Sequence, residues 1–162
     1  MDFETSEEYR ELATLVSAIQ SKYGINASDI FSRLTEQDFI PTSVFSKTLS
    51  PLETVVKFLH ENSHHSFVEI SKLLNRSQKT IWQAYDNSKK KTKEQLTSTG
   101  AAYFIPVTIF SDRTFSVFEH IITYLVDHEK LRYCDVGRAL ERDSRTIWTV
   151  YHRAKKKLSH GR

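Results

Sequence analysis

The chain has 162 residues, 39% of them hydrophobic and 12% aromatic, with only four Gly and three Pro. That length suits one ordinary domain or two small ones, is too short for a multi-domain enzyme, and points to a globular, largely helical protein. No apolar run approaches bilayer-crossing length, and a single cysteine, Cys134, excludes both an internal disulfide and a thiolate-based zinc site. The net charge of +3 conceals a division: residues 1–38 carry a balance of −5 and the rest of the chain +8, so a polyanion is the natural partner of the later part. The acidic start, Met1-Asp2-Phe3-Glu4, is the opposite of a signal peptide's basic opening, and a cytoplasmic, nucleoid-associated location is expected, with no membrane partner.

In chain order, residues 5–23 predict an amphipathic helix that opens on a capping box, Thr5 with Glu8, carries Tyr9, Leu12, Leu15, Val16 and Ile19, and ends at Gly24. Its apolar stripe needs a cover, either the next unit or a second chain, which makes a homodimer through residues 5–23 an open alternative. Phe39-Ile40-Pro41 and Phe45 then supply apolar anchors ahead of the next helix and read as a strap across its core. Ser50-Pro51-Leu52-Glu53 is a capping box with Pro in the first turn, followed by an apolar face of Leu52, Val55, Val56 and Leu59. Ser66-Phe67-Val68-Glu69 starts a second, shorter helix that buries Phe67, Ile70, Leu73 and Leu74. After a tight break at Asn75-Arg76, capped by Ser77, a third helix runs from about Gln78 to Lys91. The stretch from Thr92 to Ala102, with Thr97-Ser98-Thr99-Gly100, reads as a linker that sets the spacing of two units.

The pattern then repeats. Residues 49–91 laid over 115–157 at an offset of 66 give twelve identities, among them Thr80-Ile81-Trp82 with Thr146-Ile147-Trp148, Tyr85 with Tyr151, and Lys89-Lys90-Lys91 with Lys155-Lys156-Lys157. At an offset of 65, Phe39-Ile40-Pro41 recurs as Phe104-Ile105-Pro106, and Phe45-Ser46 as Phe110-Ser111. In the second copy Ser116 and Glu119 repeat the capping box. Phe118, Ile121, Ile122 and Leu125 form the first apolar face, Tyr133, Val136, Ala139 and Leu140 the second, and the break at Glu141-Arg142, capped by Asp143, precedes a helix from Ser144 to Lys157. Two copies of one structural unit is the economical explanation, each with its own core. A short helix, a tight turn and a longer helix ending in basic residues is the helix-turn-helix arrangement, in which the last helix is braced for a DNA major groove. The expected fold is therefore all-α: an amphipathic N-terminal segment (1–38), a first trihelical helix-turn-helix unit (39–91), a linker (92–103) and a second unit (104–162).

Asp135-Val136-Gly137, Leu140 and the run Thr146-Ile147-Trp148-Thr149-Val150-Tyr151-His152-Arg153-Ala154 with Lys155 to Leu158 resemble region four of bacterial sigma factors, especially of the extracytoplasmic-function type. In the first copy Glu69-Ile70-Ser71, Leu74 and Thr80-Ile81-Trp82 fit the same pattern, while Asp86-Asn87-Ser88 departs from its His-Arg-Ala. The resemblance covers the second and third helices of each copy, about a third of the chain. It implies DNA binding and contact with RNA polymerase or another transcription protein. A tandem pair is not the sigma arrangement and no segment resembles the promoter-melting region, so a double helix-turn-helix regulator is the nearer analogy.

With Ile81, Ala84, Tyr85 and Ser88 packed inward, helical spacing puts Gln78, Lys79, Trp82, Gln83 and Asp86 on the outer arc of the first copy. The second copy offers Ser144, Arg145, Trp148, Thr149, His152 and Arg153. Gln pairs bidentately with adenine and Arg with guanine, so Gln78, Gln83 and Arg145 are the candidate base readers. Arg76, Ser77, Lys79, Thr80, Arg142 and Thr146 are candidate phosphate contacts, joined by Lys89, Lys90 and Lys156 at the helix ends. Trp82 and Trp148 fit either a DNA contact or a wedge between helices. Cys134, aligned with Val68, reads as a small packing residue. His60, His64 and His65 lack partner acids at ligand spacing, so no metal is expected. Nor is there a nucleophile motif, a paired-carboxylate site or a Gly-rich phosphate loop, and neither catalysis nor a cofactor is expected. Sequence-specific binding of double-stranded DNA in transcription regulation is the leading function; a protein-docking module of the transcription machinery and a non-specific nucleoid-associated binder are the alternatives.

Overall fold

Seven α-helices and two three-residue strands account for most of the residues that a computed structural model of the chain describes, namely 6–28, 30 and 38–160. They divide into two units, residues 1–37 and 38–162. The first contains α1 (Glu7–Tyr23), whose N-cap is Ser6, accepting from the Tyr9 amide at 3.1 Å, and whose end is Gly24 in the left-handed region at φ 66°. The capping box expected at Thr5 and Glu8 falls on a residue outside the described ones, and the cap observed is Ser6. No residue of α1 is buried, and Tyr9, Leu12 and Leu15 of the predicted stripe are exposed.

The second unit holds both sequence repeats. In the first, β1 (Phe39–Pro41) leads through a 3₁₀ turn at Thr42–Val44 to α2 (Pro51–Glu61), α3 (Phe67–Leu73) and α4 (Gln78–Lys91). In the second, β2 (Phe104–Pro106) leads through a 3₁₀ turn at Val107–Ser111 to α5 (Val117–Thr123), α6 (Tyr133–Leu140) and α7 (Ser144–His160). The local signals explain these starts. Ser50, Ser66 and Ser116 each accept from the amide three residues on while Glu53, Glu69 and Glu119 reach back to the cap, satisfying donors that a helix start leaves unpaired. The copies diverge at the end of their first helix: α5 passes into a π-helical turn at Tyr124–His128, where its counterpart α2 stays α-helical. None of the described helices is long and apolar enough to cross a membrane.

The fold is mostly helical rather than all-α, because the two Phe-Ile-Pro segments are strands that pair with each other. β1 and β2 run antiparallel, with Phe39 opposite Pro106, Ile40 opposite Ile105 and Pro41 opposite Phe104. Each proline ends its strand, where a missing N–H breaks no ladder bond. Ile40 and Ile105 are fully buried, and burying side chains of that size contributes about 1.5–3 kcal/mol each, enough to hold so short a ladder in place.

Since residues 39, 40 and 41 correspond to 104, 105 and 106 in the repeat, this register places each segment on its own copy about a local twofold axis through Ile40 and Ile105. The flanking bonds obey the same operation: Thr42 N donates to Tyr103 O at 3.0 Å, and its mate Val107 N donates to Asp38 O at 2.9 Å. So does the packing. α2 lies against its own counterpart α5, α3 packs on the 3₁₀ turn of the second repeat, and α6 packs on the 3₁₀ turn of the first. Two further bonds cross between the repeats without being mates of one another: Asn75 donates to Ser111 O at 3.0 Å and Arg142 to Leu49 O at 2.9 Å. A surface that meets itself in this reciprocal way is the isologous contact of a symmetric dimer, here made within one chain.

One consequence corrects the expectation of a separate core in each copy. Ile40, Val44, Val56, Leu59, Ile105, Phe110, Ile122 and Leu125, drawn from both repeats, belong to a single buried cluster. The segment read as a linker is also tied down at several points. Leu96 packs against that cluster and accepts from Asn62 Nδ2 at 3.0 Å, and Gln95 donates to Glu61 O at 3.0 Å.

Candidate nucleic-acid interface

α4 and α7 present matched outer faces. Ile81, Ala84 and Ser88 are buried along α4, as are Ile147, Val150 and Ala154 along α7, with Tyr85 and Tyr151 half-buried beside them. That stripe turns Gln78, Lys79, Thr80, Trp82 and Gln83 outward in the first repeat, and Ser144, Arg145, Thr146, Trp148, Thr149, His152 and Arg153 in the second. Asp86, read as part of the same arc, is half-buried and pairs with Lys90 at 2.6 Å.

Each arc begins at a capped helix start. Ser77 Oγ accepts from the Thr80 amide at 3.2 Å and shares a hydrogen bond with Thr80 Oγ1 at 2.8 Å; Asp143 accepts from the Arg145 amide at 2.7 Å. Ser77 therefore holds the helix start, and the positive end of the helix dipole supplements Lys79 and Arg145 there. Trp82 and Trp148 are 54% and 51% exposed, so neither is a wedge in the core. Trp148 stacks on His152, with ring centroids 4.0 Å apart and planes 29° apart, and a hydrogen bond between His152 Nδ1 and Trp148 O at 2.9 Å fixes the pair. Asp86 occupies the position of His152 in the first repeat, so Trp82 lacks that stack and the two arcs offer different chemistry.

The basic helix ends are placed otherwise than the sequence suggested. Lys91 Nζ bonds both oxygens of Glu53, at 3.0 and 2.8 Å, and Lys157 bonds Glu119 at 2.7 Å. Glu61 accepts from Tyr85 Oη at 3.0 Å and from Lys89 at 3.3 Å; Asp127 accepts from Tyr151 Oη at 2.7 Å and from Lys155 at 2.5 Å. These clamps are copies at the offset of 66, and they fasten the last helix of each repeat to the first. Arg153 is held by Glu119 at 2.9 Å, so Lys89, Lys90 and Arg153 are locally balanced, whereas Lys156 makes no ion pair among the described residues. Burial pushes the Glu119 carboxyl up, but the bonds from Lys157, the Ser116 amide and Arg153 outweigh it and leave it below its ordinary value. Asp127 is lowered in the same way, burial being overcome by Lys155 and Tyr151, and Glu61 by Lys57, Tyr85 and Lys89.

Arg76 and Arg142 also sit elsewhere than on an exposed phosphate-contacting surface. Both are half-buried at the junction of the repeats. Arg142 donates to Leu49 O at 2.9 Å, and burial together with the neighbouring Arg113 lowers the Arg76 pKa, its Nε buried without a hydrogen-bond partner among the described residues. Cys134 is exposed rather than packed, and so is Val68, the residue it aligns with. His60 stacks on Phe67 and bonds His65 O at 2.8 Å, while His65 Nε2 meets Asp38 at 2.6 Å, an acid that the sequence spacing did not offer.

Within their own four-residue windows Glu53 and Glu119 read as members of capping boxes only. Their second role, gripping the terminal lysine of the last helix, was detectable in the recurrence of acid and lysine together at one offset, as was the pairing of Glu61 or Asp127 with Tyr85 or Tyr151. No protein-family model, no curated protein and no solved structure matches this chain.

Proposed function

We propose that the chain binds double-stranded DNA as a sequence-specific regulator of transcription, with α3–α4 and α6–α7 acting as two helix-turn-helix pairs. The observation that carries this reading is the duplicated outer arc, in which a capped helix start, a cation and a half-exposed Trp recur at matching positions of α4 and α7 on a rigidly buried stripe. The likeness of residues 135–158 to region four of sigma factors supports it.

Gln78, Gln83 and Arg145 read base edges, since amide and guanidinium groups pair bidentately with adenine and guanine. Lys79, Thr80, Ser144, Thr146 and Thr149, together with Lys156, contact the sugar-phosphate backbone and set orientation. Trp82 and Trp148 supply flat apolar area against the groove, where thymine methyl groups lie. Because the outer residues differ between the arcs, the two half-sites differ in sequence.

Selection from a random duplex pool at near-physiological salt tests this, with the intact chain compared against Gln78→Ala and Arg145→Ala. A bipartite motif is expected, with one base position relaxed in each half by the corresponding variant, and affinity falling linearly with log salt on a logarithmic scale. An unenriched pool refutes sequence-specific reading. A second reading, a docking surface for a transcription protein, draws on the ion-paired lysines and half-exposed tryptophans; absence of any duplex binding favours it.

A further inference from the structure

The twofold relation between the repeats is a separate observation from the chemistry of their outer faces. Two helix-turn-helix units joined by a loose tether dock on direct or inverted half-sites alike, at any separation the tether spans. Here the repeats are held directly on one another. The antiparallel register centred on Ile40 and Ile105, the reciprocal bonds Thr42 N to Tyr103 O and Val107 N to Asp38 O, and the α2–α5 packing fix one repeat on the other by a rotation. Rotation about a dyad carries α4 onto α7 and reverses the part of its direction that lies across the axis, as it does for recognition helices in a homodimeric repressor. A protein dyad matches the dyads of duplex DNA, which relate one strand to the other.

We infer that a single chain occupies an inverted pair of half-sites on opposite strands, at one fixed separation, doing alone what a symmetric dimer does with two chains. This rests on the DNA-binding reading above and adds the orientation and spacing of the target. The half-sites are inverted in orientation yet unequal in sequence, because Gln78, Lys79 and Gln83 in α4 stand against Ser144, Arg145 and Thr149 in α7. Their centres lie about one helical turn apart, roughly 10 base pairs, or a multiple of it.

The test attaches an iron chelate that cleaves DNA to one of two equivalent positions, the native Cys134 or Val68→Cys in a Cys134→Ser background. Both positions are exposed, and each is the second residue of its helix, α3 or α6, at corresponding points of the two repeats. The probe is the duplex enriched by the full-length chain, labelled on either strand. Under the twofold arrangement, cuts made from position 68 on one strand are the mirror image of cuts made from position 134 on the other. Cuts that recur on the same strand, shifted along the axis, overturn the inference and leave DNA binding intact. Inserting five base pairs between the halves turns one by about half a turn and is expected to weaken binding at least tenfold; unchanged affinity likewise overturns it. If no duplex binds, the DNA-binding reading fails and takes the inference with it. Full binding accompanied by a shifted pattern isolates the failure to the symmetry.

Discussion

Gly137 lies in α6 where that helix meets the turn before α7, and a Cβ added there would stand 2.6 Å from the carbonyl oxygen of Arg142 and 3.5 Å from Ser144 N. The first distance is far inside ordinary van der Waals contact, and the atom approached is backbone. The turn has little room to yield: Arg142 N already donates to Gly137 O at 2.8 Å, and Glu141 is held in the left-handed region at φ 52°. Two effects of Gly137→Ala oppose one another. Helix propensity favours Ala by about 1 kcal/mol, whereas overpacking against a fixed neighbour costs about 1–3 kcal/mol, toward the upper end when backbone must move. A net destabilisation of about 1–2 kcal/mol follows, a factor of roughly 5–30 in the folded-to-unfolded ratio. Urea unfolding of the two proteins measures it. The equivalent position in the first repeat is Ser71, whose hydroxyl donates to Val68 O at 2.7 Å on an exposed surface, so Ser71→Ala is expected to stay within about 0.5 kcal/mol. A Gly137→Ala protein as stable as the parent, or more stable, would show that the turn is not constrained as described.

Glu119, Asp127 and Glu61 all titrate below their ordinary values in the folded protein, so the unfolded chain binds more protons between the two values. Their stabilisation is complete above the ordinary carboxylate pKa and is lost as pH falls through the lower folded values; Glu119→Gln should flatten that acid limb in urea midpoints taken from pH 7 to pH 3, and an unchanged limb would remove the clamp from the account. Ser77→Ala deletes the cap of α4 and is expected to cost about 0.5–2 kcal/mol, read by the same denaturation, with affinity for duplex falling in step as the helix start frays; equal stability would contradict the cap's role. A fragment of residues 38–91 leaves Ile40, Val44 and Val56 without the second repeat and is expected to lack a cooperative thermal transition in far-UV circular dichroism. A sharp transition from that fragment would mean that each repeat has a self-sufficient core after all.

The helices were legible because their determinants are local. Ser50 with Glu53, Ser66 with Glu69 and Ser116 with Glu119 announce themselves within four residues, and the predicted span of α4, Gln78 to Lys91, is the one observed. What escaped was non-local. A strand of three residues has no periodicity to detect, and Phe39–Pro41 finds its partner only across 65 residues of chain, through a symmetry that a repeat alone does not imply. Arg76 and Arg142 read as surface cations because a one-dimensional pattern does not show the other repeat packing over them. Lys89 read as a DNA contact because Glu61, which it bonds, lies 28 residues away in the chain. Cys134 inherited a packing role from its alignment with Val68, itself on the surface. The outer arcs of α4 and α7 were readable from helical spacing, which needs only the buried stripe.

The strand pair at Ile40 and Ile105 joins what a dimer would leave separable, and this alters behaviour on dilution and on mutation. Two identical subunits part as their concentration falls, so their occupancy of a site rises steeply with the amount of protein made. Halves carried on one polypeptide stay in a one-to-one ratio at any copy number, so no association step is needed to bring one repeat to the other. A dimer also receives every codon change twice, on both sides of its axis. In this chain a change reaches one side only, and the repeats already differ in this way where Asp86 holds the position that His152 has in the second.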